Sequence, residues 1–236
     1  MKFELVNEYC NATGRNFRVI KVTLSNNFAK DRDFIKLLKI KSKQLATSVN
    51  KQAANNSTQT RSKERILINC AAGILAEVCW KKCINMYYKH NFVTETNFDK
   101  SSNQIDLFVI HSGKSIEVRS SFPRNGVNFA LCDPTYQFDV IGPYTNSVKV
   151  NEPSKDFYVR TLYPINVKDF MDFLNNDSVE FFLTGGAKWD MMTDSTLFKD
   201  KDFIPDDAVA EEKSIYRVVP FEKALDTIEI LEELKY

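Results

Sequence analysis

The sequence predicts one core of mixed helical and strand structure, of the α/β or the α+β class. Three features favour it: a long helix-periodic segment after Ser62, several short strand-like runs that follow it, and a helix-prone segment that closes the chain. At 236 residues the chain is long enough for one sizeable core, and its 43% hydrophobic and 27% charged residues are typical of globular proteins. This composition excludes a disordered or fibrous chain.

The N-terminal part of the chain is basic. Residues 1–65 hold 14 Lys or Arg and 5 Asp or Glu, whereas the whole chain has a net charge of +1. A strand is predicted over 16–24 and a helix over 31–49. The apolar residues that suit one face of this helix are Phe34, Leu37, Leu38 and Leu45. Its lysines, which fall largely around the other side, are Lys36, Lys39, Lys41 and Lys43. The charge fits either a polyanionic partner or a solvated basic surface.

A polar stretch over 50–60 has no apolar anchor and is typical of a loop or linker. We therefore expect residues 1–60 to form a basic N-terminal segment, which either stands apart from the domain over 61–236 or packs into it. The sequence favours neither arrangement.

A long helix is predicted from Ser62, which can cap its N-terminus, to His90. Its apolar positions at helical spacing are Leu67, Cys70, Ala71, Ile74, Leu75, Val78 and Ile84. Glu77 lies at the edge of this stripe or within it. One interpretation delivers its carboxylate to a site beside the helix, and the other pairs it on the surface with Lys81, four residues later.

Strand-like runs follow the helix, and turn sequences such as Ser112-Gly113 and Gly185-Gly186 separate them. The runs are NQIDLFVI (103–110), KSIEVRSS (114–121), DFYVRTLYPI (156–165) and VEFFLTG (179–185). A helix is predicted over PFEKALDTIEILEELKY (220–236). The five cysteines contain no CxxC and are accompanied by two histidines, so neither a disulfide framework nor a zinc site is indicated.

The first two runs are predicted to form a hairpin, 105–110 with 115–121, in which Gly113 takes a positive φ. With Ser112-Gly113 as a two-residue loop, Asp106 faces Arg119 and Phe108 faces Glu117. Directly opposite residues share a face of the sheet, as do residues i and i+2. Asp106, Glu117 and Arg119 are therefore expected on one face, and Ile116 and Val118 on the other.

Two carboxylates that converge in this way repel each other unless one is protonated or a cation lies between them. Oxygen ligands without nearby His or Cys suit Mg²⁺ or Mn²⁺ better than zinc. Such an ion polarises a phosphodiester and lowers the pKa of a bound water, while an adjacent cation stabilises the growing charge. The pattern thus favours phosphodiester hydrolysis. The alternative is a structural cross-strand salt bridge between Asp106 and Arg119, with Glu117 at the surface.

These residues resemble those of the PD-(D/E)XK superfamily of restriction-endonuclease-like nucleases. Its members carry an aspartate at a strand, a Glu-x-Lys on the hairpin partner, and often a glutamate on the preceding helix. The matching residues here are Glu77, Asp106, Glu117 and Arg119, and the order of helix, strand, hairpin and strand over 62–122 matches as well. The resemblance implies an α/β fold with a restriction-endonuclease-like core, in which helices flank a mixed central sheet over 61–236.

The resemblance also implies a role for each residue. Asp106 and Glu117 would bind Mg²⁺, with Mn²⁺ as a substitute, helped by the main-chain carbonyl of Val118. Glu77 would complete the metal shell directly or through water. Arg119 would be the cation of the catalytic set.

The sequence departs from the family pattern at two positions. Ile105 replaces a proline, which is a common variation in the superfamily. Arg119 stands where lysine is usual, and because arginine stays charged it can hold a phosphate but cannot act as a general base. Water activation would then fall to the metal or to another lysine, such as Lys114 in the turn.

The function that the resemblance implies is a Mg²⁺-dependent type II restriction endonuclease that acts on double-stranded DNA as a homodimer. A cytoplasmic location is expected from the lack of an apolar span and of a signal peptide. Arg124, Asn125 and the lysines over 31–49 are candidate phosphate contacts. A membrane partner is not expected, because no stretch of 18 apolar residues occurs and the N-terminus lacks the order of a signal peptide. The alternatives are a catalytically silent nuclease-fold protein that binds nucleic acid or a partner protein, and a structure-specific repair nuclease.

Overall fold

The computed structural model describes residues 1–10, 14–48, 62–95, 106–122, 139–145, 152–203 and 214–236. The strands are β1 (Lys2–Cys10), β2 (Arg15–Ser25), β3 (Val93–Glu95), β4 (Leu107–Val109), β5 (Ser115–Ser121), β6 (Val140–Thr145), β7 (Phe157–Leu162), β8 (Ser178–Lys188), β9 (Lys199–Phe203) and β10 (Ser214–Val219). The helices are α1 (Ala29–Ser48), α2 (Lys63–Tyr88), α3 (Phe170–Phe173), α4 (Trp189–Thr193) and α5 (Thr227–Glu233), with 3-10 turns at Val167–Asp169 and Phe221–Lys223.

Seven strands form one mixed sheet in the order β1-β2-β8-β7-β5-β4-β3. The neighbours β5 and β7 run parallel, and the other neighbouring pairs run antiparallel. A second sheet has the order β6-β10-β9. The predicted class, a mixed α/β fold with a mixed central sheet flanked by helices, is confirmed at this level. The N-terminal segment contributes β1 and β2 to the main sheet, so it packs with the rest of the chain.

Helix α2 lies across one face of the sheet and organises the larger core. Leu75 and Trp80 on the helix are fully buried and belong to one cluster with Ile116 and Val118 of β5 and Val159 of β7. Burial of each such side chain contributes about 1.5–3 kcal/mol. The prediction that Ile116 and Val118 are packed on the face opposite Glu117 is confirmed, and their contacts with α2 fix the position of β5 against the helix.

A second core fills the opposite face. It joins Tyr158 and Leu162 of β7 to Val140 of β6 and Val219 of β10. Because Glu117 is aligned with Tyr158 in the parallel β5–β7 pair, the odd-numbered residues of β5 lie on this second face.

The elements predicted in the basic segment and in the long helix are confirmed. The strand over 16–24 is β2, and the helix over 31–49 is α1. The Ser62 side chain accepts a hydrogen bond from the Arg65 N–H at 3.0 Å, which begins α2 where its capping residue predicts. The chain leaves α2 at Lys89, whose φ of 60° is left-handed.

Two local predictions are wrong, and one strand was missed. Leu37 is 48% exposed, because α1 turns Ile35 and Leu38 to the core instead. The closing helix is short, since a capping box between Asp226 and Glu229 starts α5 only at Thr227. The strand β1 was not predicted; it pairs with β2 along its full length.

Candidate functional site

The hairpin that carries the candidate site differs in register from the prediction. Phe108 pairs with Ser115 and not with Glu117. The reason is the turn: the Gly113 N–H donates to the Val109 carbonyl at 3.0 Å and the Val109 N–H donates to the Lys114 carbonyl at 2.8 Å. These bonds close a longer loop than the two-residue one predicted, and Gly113 takes the predicted positive φ, 73°.

The shift of two residues changes the partner of Asp106. In the continued register Asp106 lies opposite Glu117, so the prediction that it faces Arg119 is wrong. Asp106 comes directly before β4, and its Oδ2 accepts the Val118 N–H at 2.7 Å. The hydrogen bond fixes the Asp106 carboxyl beside the segment Glu117–Arg119, and the three side chains still converge.

The pKa of Asp106 is shifted by the charged groups around it. Although the residue as a whole keeps partial solvent exposure, desolvation of its carboxyl raises its pKa well above the ordinary value, and the charges of Glu117 and Glu77 raise it further. The Val118 hydrogen bond and the Arg119 charge oppose that rise. Carboxylates in this arrangement disfavour each other's charge, which is the condition under which a bound cation is stabilised.

Glu117 is buried, with 9% of its surface exposed, and its carboxylate forms an ion pair with Arg119. One nitrogen of Arg119, Nη2, lies 3.3 Å from Glu117 Oε1 and 3.2 Å from each carboxylate oxygen of Glu152. The alternative that leaves Glu117 at the surface is therefore wrong. Arg119 bridges two carboxylates, one from β5 and one that precedes β7.

Glu77 reaches the same region from α2. Desolvation by burial raises its pKa to about 7, and the charges of Glu95 and Glu117 add to the shift, while Lys81 and Lys41 oppose it. Lys81 forms its ion pair with Glu95, at 3.1 Å. The interpretation of Glu77 as a surface residue paired with Lys81 is wrong, and its carboxyl lies within electrostatic reach of Asp106 and Glu117.

Sequence reasoning missed two residues of the site, Glu152 and Tyr158. Glu152 stands in a polar segment 33 positions after Arg119, and no spacing rule connects the two. Tyr158 is aligned with Glu117 across the parallel strands, and burial raises its pKa to about 12, with Glu117 and Glu152 contributing. An aromatic residue in an apolar strand gives no signal of this role.

The parallel alignment that brings these residues together is fixed by a clamp at the start of both strands. Asp156 Oδ2 accepts the Ser115 N–H at 2.7 Å and the Ser115 hydroxyl at 2.8 Å. The Asp156 N–H donates back to the Ser115 hydroxyl oxygen at 3.1 Å. This exchange sets the β5–β7 register and with it the position of Glu117 beside Tyr158.

Other sequence candidates lie elsewhere. The Lys114 ammonium lies 5.8 Å from the centre of the Phe157 ring, and Phe157 belongs to the core under α2. Ile105, Arg124 and Asn125 lie outside the described residues.

The donor chemistry of the site suits a hard divalent ion. The carboxylates of Asp106, Glu117 and Glu77 influence one another's charge, and among the described residues no thiol or imidazole contributes to the pKa shifts of Asp106 and Glu77. Within the ranges that the structure describes, no three acidic, His or Cys side chains already form a ligand set. Arg119 lies against Glu117, so a metal would have to share or replace that contact.

Comparison with known proteins finds a relative whose own function is not characterized. In an alignment 258 positions long, the chain is 26% identical to an uncharacterized protein of Methanocaldococcus jannaschii, covering 93% of this chain and 86% of the relative. No family model and no solved structure matches the chain. In the parts that the structure describes, none of the helices has both the length and the apolar character to cross a membrane.

Proposed function

We propose that this protein is a divalent-metal-dependent endonuclease that hydrolyses phosphodiester bonds in DNA. One observation carries the proposal: the charges of Glu77, Glu117 and Arg119 all shift the pKa of Asp106. A helix, the start of a strand and its hairpin partner carry these groups in the order that the PD-(D/E)XK resemblance implies. We extend the proposal to a restriction-endonuclease-like core.

In this proposal Asp106 and Glu117 hold Mg²⁺, or Mn²⁺ in its place, with the main-chain carbonyl of Val118. Glu77 completes the shell directly or through water. The bound ion would activate a water and polarise the scissile phosphate. Arg119 stays charged at any working pH, so its part is to hold the phosphate and stabilise the charge that grows on it.

The DNA contact is proposed for the exposed side of α1. Lys36, Lys41 and Lys43 are exposed there, whereas Lys39 donates to the Asn175 side chain at 2.6 Å. The charge of Lys41 lowers the pKa of Glu77, so this basic side lies within electrostatic reach of the site. Lysines so placed suit sequence-independent phosphate contacts.

The finer proposal is a type II restriction endonuclease that acts on double-stranded DNA in the cytoplasm as a homodimer. Palindromic sites are read by two-fold symmetric proteins, which is the reason for the dimer. Discrete cleavage products from plasmid DNA, and a dimer in sedimentation analysis, are the outcomes that this proposal requires.

The test of the nuclease proposal is cleavage of unmethylated plasmid or phage DNA in Mg²⁺, in Mn²⁺ and in chelator. We expect metal-dependent cutting that is lost in Glu117→Ala, while DNA binding is retained. Glu180→Ala, at an exposed glutamate on strand β8 of the same sheet, is the matched control and should cut normally. Undiminished cutting by Glu117→Ala would refute the assignment of the site.

A second candidate is a catalytically silent nuclease-fold protein that binds nucleic acid or a partner protein. The ion pairs of Arg119 with Glu117 and Glu152 favour it, because they satisfy the carboxylates without a metal. Retained DNA binding, without cleavage in any metal or by any variant, would support this candidate. Cutting only of branched or single-stranded substrates would point to a structure-specific repair nuclease.

A further inference from the structure

We propose that Glu152 is a positioning residue that retains Arg119 when a divalent ion takes Glu117. The inference rests on the proposed function and assigns a role to a residue outside the family motif. Glu152 would act through Arg119 and would not itself bind the ion.

The contact geometry is the first support. Arg119 Nη2 lies at 3.2 Å from both oxygens of Glu152 and at 3.3 Å from one oxygen of Glu117. A single guanidinium nitrogen is thus shared by two carboxylates, and it contacts both oxygens of Glu152 but one oxygen of Glu117. If the Glu117 contact breaks, Arg119 keeps the Glu152 contacts without moving.

Burial is the second support. The side chain of Glu152 is 5% exposed, that of Glu117 is 11% exposed and that of Arg119 is 23% exposed. A carboxylate this far from water needs a cation beside it, and breaking such a pair leaves an uncompensated buried charge. Glu152 therefore keeps Arg119 in place more strongly than the more accessible Glu117 does.

The third step is competition for Glu117. A divalent ion on Glu117 and a guanidinium against the same carboxylate repel each other at these short distances. With Glu152 present, Arg119 has a second carboxylate to satisfy its charge when the ion binds. Without Glu152, nothing from this carboxylate opposes the contact of Arg119 with Glu117, and Arg119 then competes with the ion for Glu117.

The experiment measures Mn²⁺ binding without DNA, by calorimetry and by the paramagnetic signal of free Mn²⁺. Four proteins form a cycle: wild type, Glu152→Gln, Arg119→Gln and the double variant. We expect Glu152→Gln to weaken Mn²⁺ binding roughly fivefold to tenfold, and Arg119→Gln to strengthen it, since the competing cation is gone. In the Arg119→Gln background, Glu152→Gln should change the affinity by less than about twofold.

An equal loss of affinity from Glu152→Gln in both backgrounds would overturn the inference, because Glu152 would then act directly on the ion by its charge. An unchanged Mn²⁺ affinity together with a lower unfolding midpoint would overturn it too, and would leave Glu152 a purely structural role. If Glu152→Gln does not fold, Glu152→Asp keeps the charge and shortens the reach, and a weaker Mn²⁺ affinity than wild type is again expected.

The same measurements distinguish failure of the proposed metal site from failure of the role proposed for Glu152. Wild-type Mn²⁺ binding that is lost in Glu117→Gln supports the metal site, and a neutral Glu152→Gln then refutes this inference alone. Absence of Mn²⁺ binding by the wild type would refute the metal site and this inference together.

Discussion

Replacement of Glu77 by glutamine should change how the stability of the protein depends on pH. Desolvation raises the pKa of Glu77 from its ordinary 4.5 to about 7 in the folded protein. The folded state then binds this proton more tightly than the unfolded state does. The stability contributed by the protonated group is complete below pH 4.5 and is lost as the pH rises through 7.

The size of the effect follows from the shift. Each unit of pKa corresponds to about 1.4 kcal/mol, so the full interval would lower the free energy of unfolding by about 3 kcal/mol. Because Glu77 keeps partial solvent exposure, we expect about 2 kcal/mol of this loss. Glu77→Gln should remove the loss and be more stable than wild type by about 2 kcal/mol at pH 8, but not at pH 4.5.

The assay is urea unfolding between pH 4.5 and 8 in chelator, followed by tryptophan fluorescence, since Trp80 is fully buried in the folded protein. Glu64→Gln, at an exposed position in the first turn of the same helix, is the control and should shift the free energy of unfolding by less than about 0.5 kcal/mol. If the free energy of unfolding changes between pH 5 and pH 8 by the same amount in the wild type and in Glu77→Gln, the placement of this carboxyl is refuted.

Further predictions concern the metal, the DNA and the sheet. Mg²⁺ at ten times its dissociation constant should raise the free energy of unfolding of the wild type by about 1.4 kcal/mol, and should not stabilise Glu117→Gln. Replacement of the exposed α1 lysines, Lys36, Lys41 and Lys43, by glutamine should reduce the slope of log K against log salt for DNA binding by about 2–3. Gly186→Ala should lower the free energy of unfolding by about 2–3 kcal/mol, because an added Cβ would lie 2.0 Å from the Tyr158 carbonyl oxygen.

Matched controls separate these effects from general damage. Lys168 and Lys199 are exposed lysines outside α1, and their double replacement by glutamine should leave the salt slope unchanged. Gly73 lies in α2 with nothing within 4 Å of an added Cβ, so Gly73→Ala should be stabilising by about 0.5–1 kcal/mol. A loss of stability in Gly73→Ala as large as that in Gly186→Ala would contradict the packing argument.

The parts of the fold that could be predicted depend on neighbours in sequence. The start of α2 follows from the Ser62 side chain and the Arg65 amide, and β5 follows from its alternating pattern and its turn. The hairpin register could not be predicted, because it depends on the loop length. The hydrogen bond from the Gly113 N–H to the Val109 carbonyl closes a longer loop, which places Asp106 opposite Glu117 and not Arg119. The convergence of the three side chains survived this error, since a shift of two keeps every side chain on its face.

Glu152 could not be predicted for a different reason. Its contact with Arg119 depends on the parallel pairing of β5 with β7, which the Ser115–Asp156 clamp sets. Neither the clamp nor the pairing leaves a periodic pattern in the sequence. A polar residue before an apolar strand is a common feature of loops, so only the three-dimensional arrangement distinguishes it.

The arginine at position 119 and the glutamate at position 152 belong to one arrangement. A lysine at this position would offer a compact charge that can give up its proton, whereas the guanidinium of Arg119 keeps its charge and bonds in a fixed fork. In the proposed site, Arg119 would need a carboxylate that remains when Glu117 binds a metal, and both oxygens of Glu152 lie 3.2 Å from Arg119 Nη2. Substitution of lysine by arginine therefore removes a general base from the proposed site but keeps a phosphate-binding cation, provided that a second buried carboxylate holds it. Arg119→Lys should on this argument weaken the contact with Glu152 more than the contact with a bound phosphate.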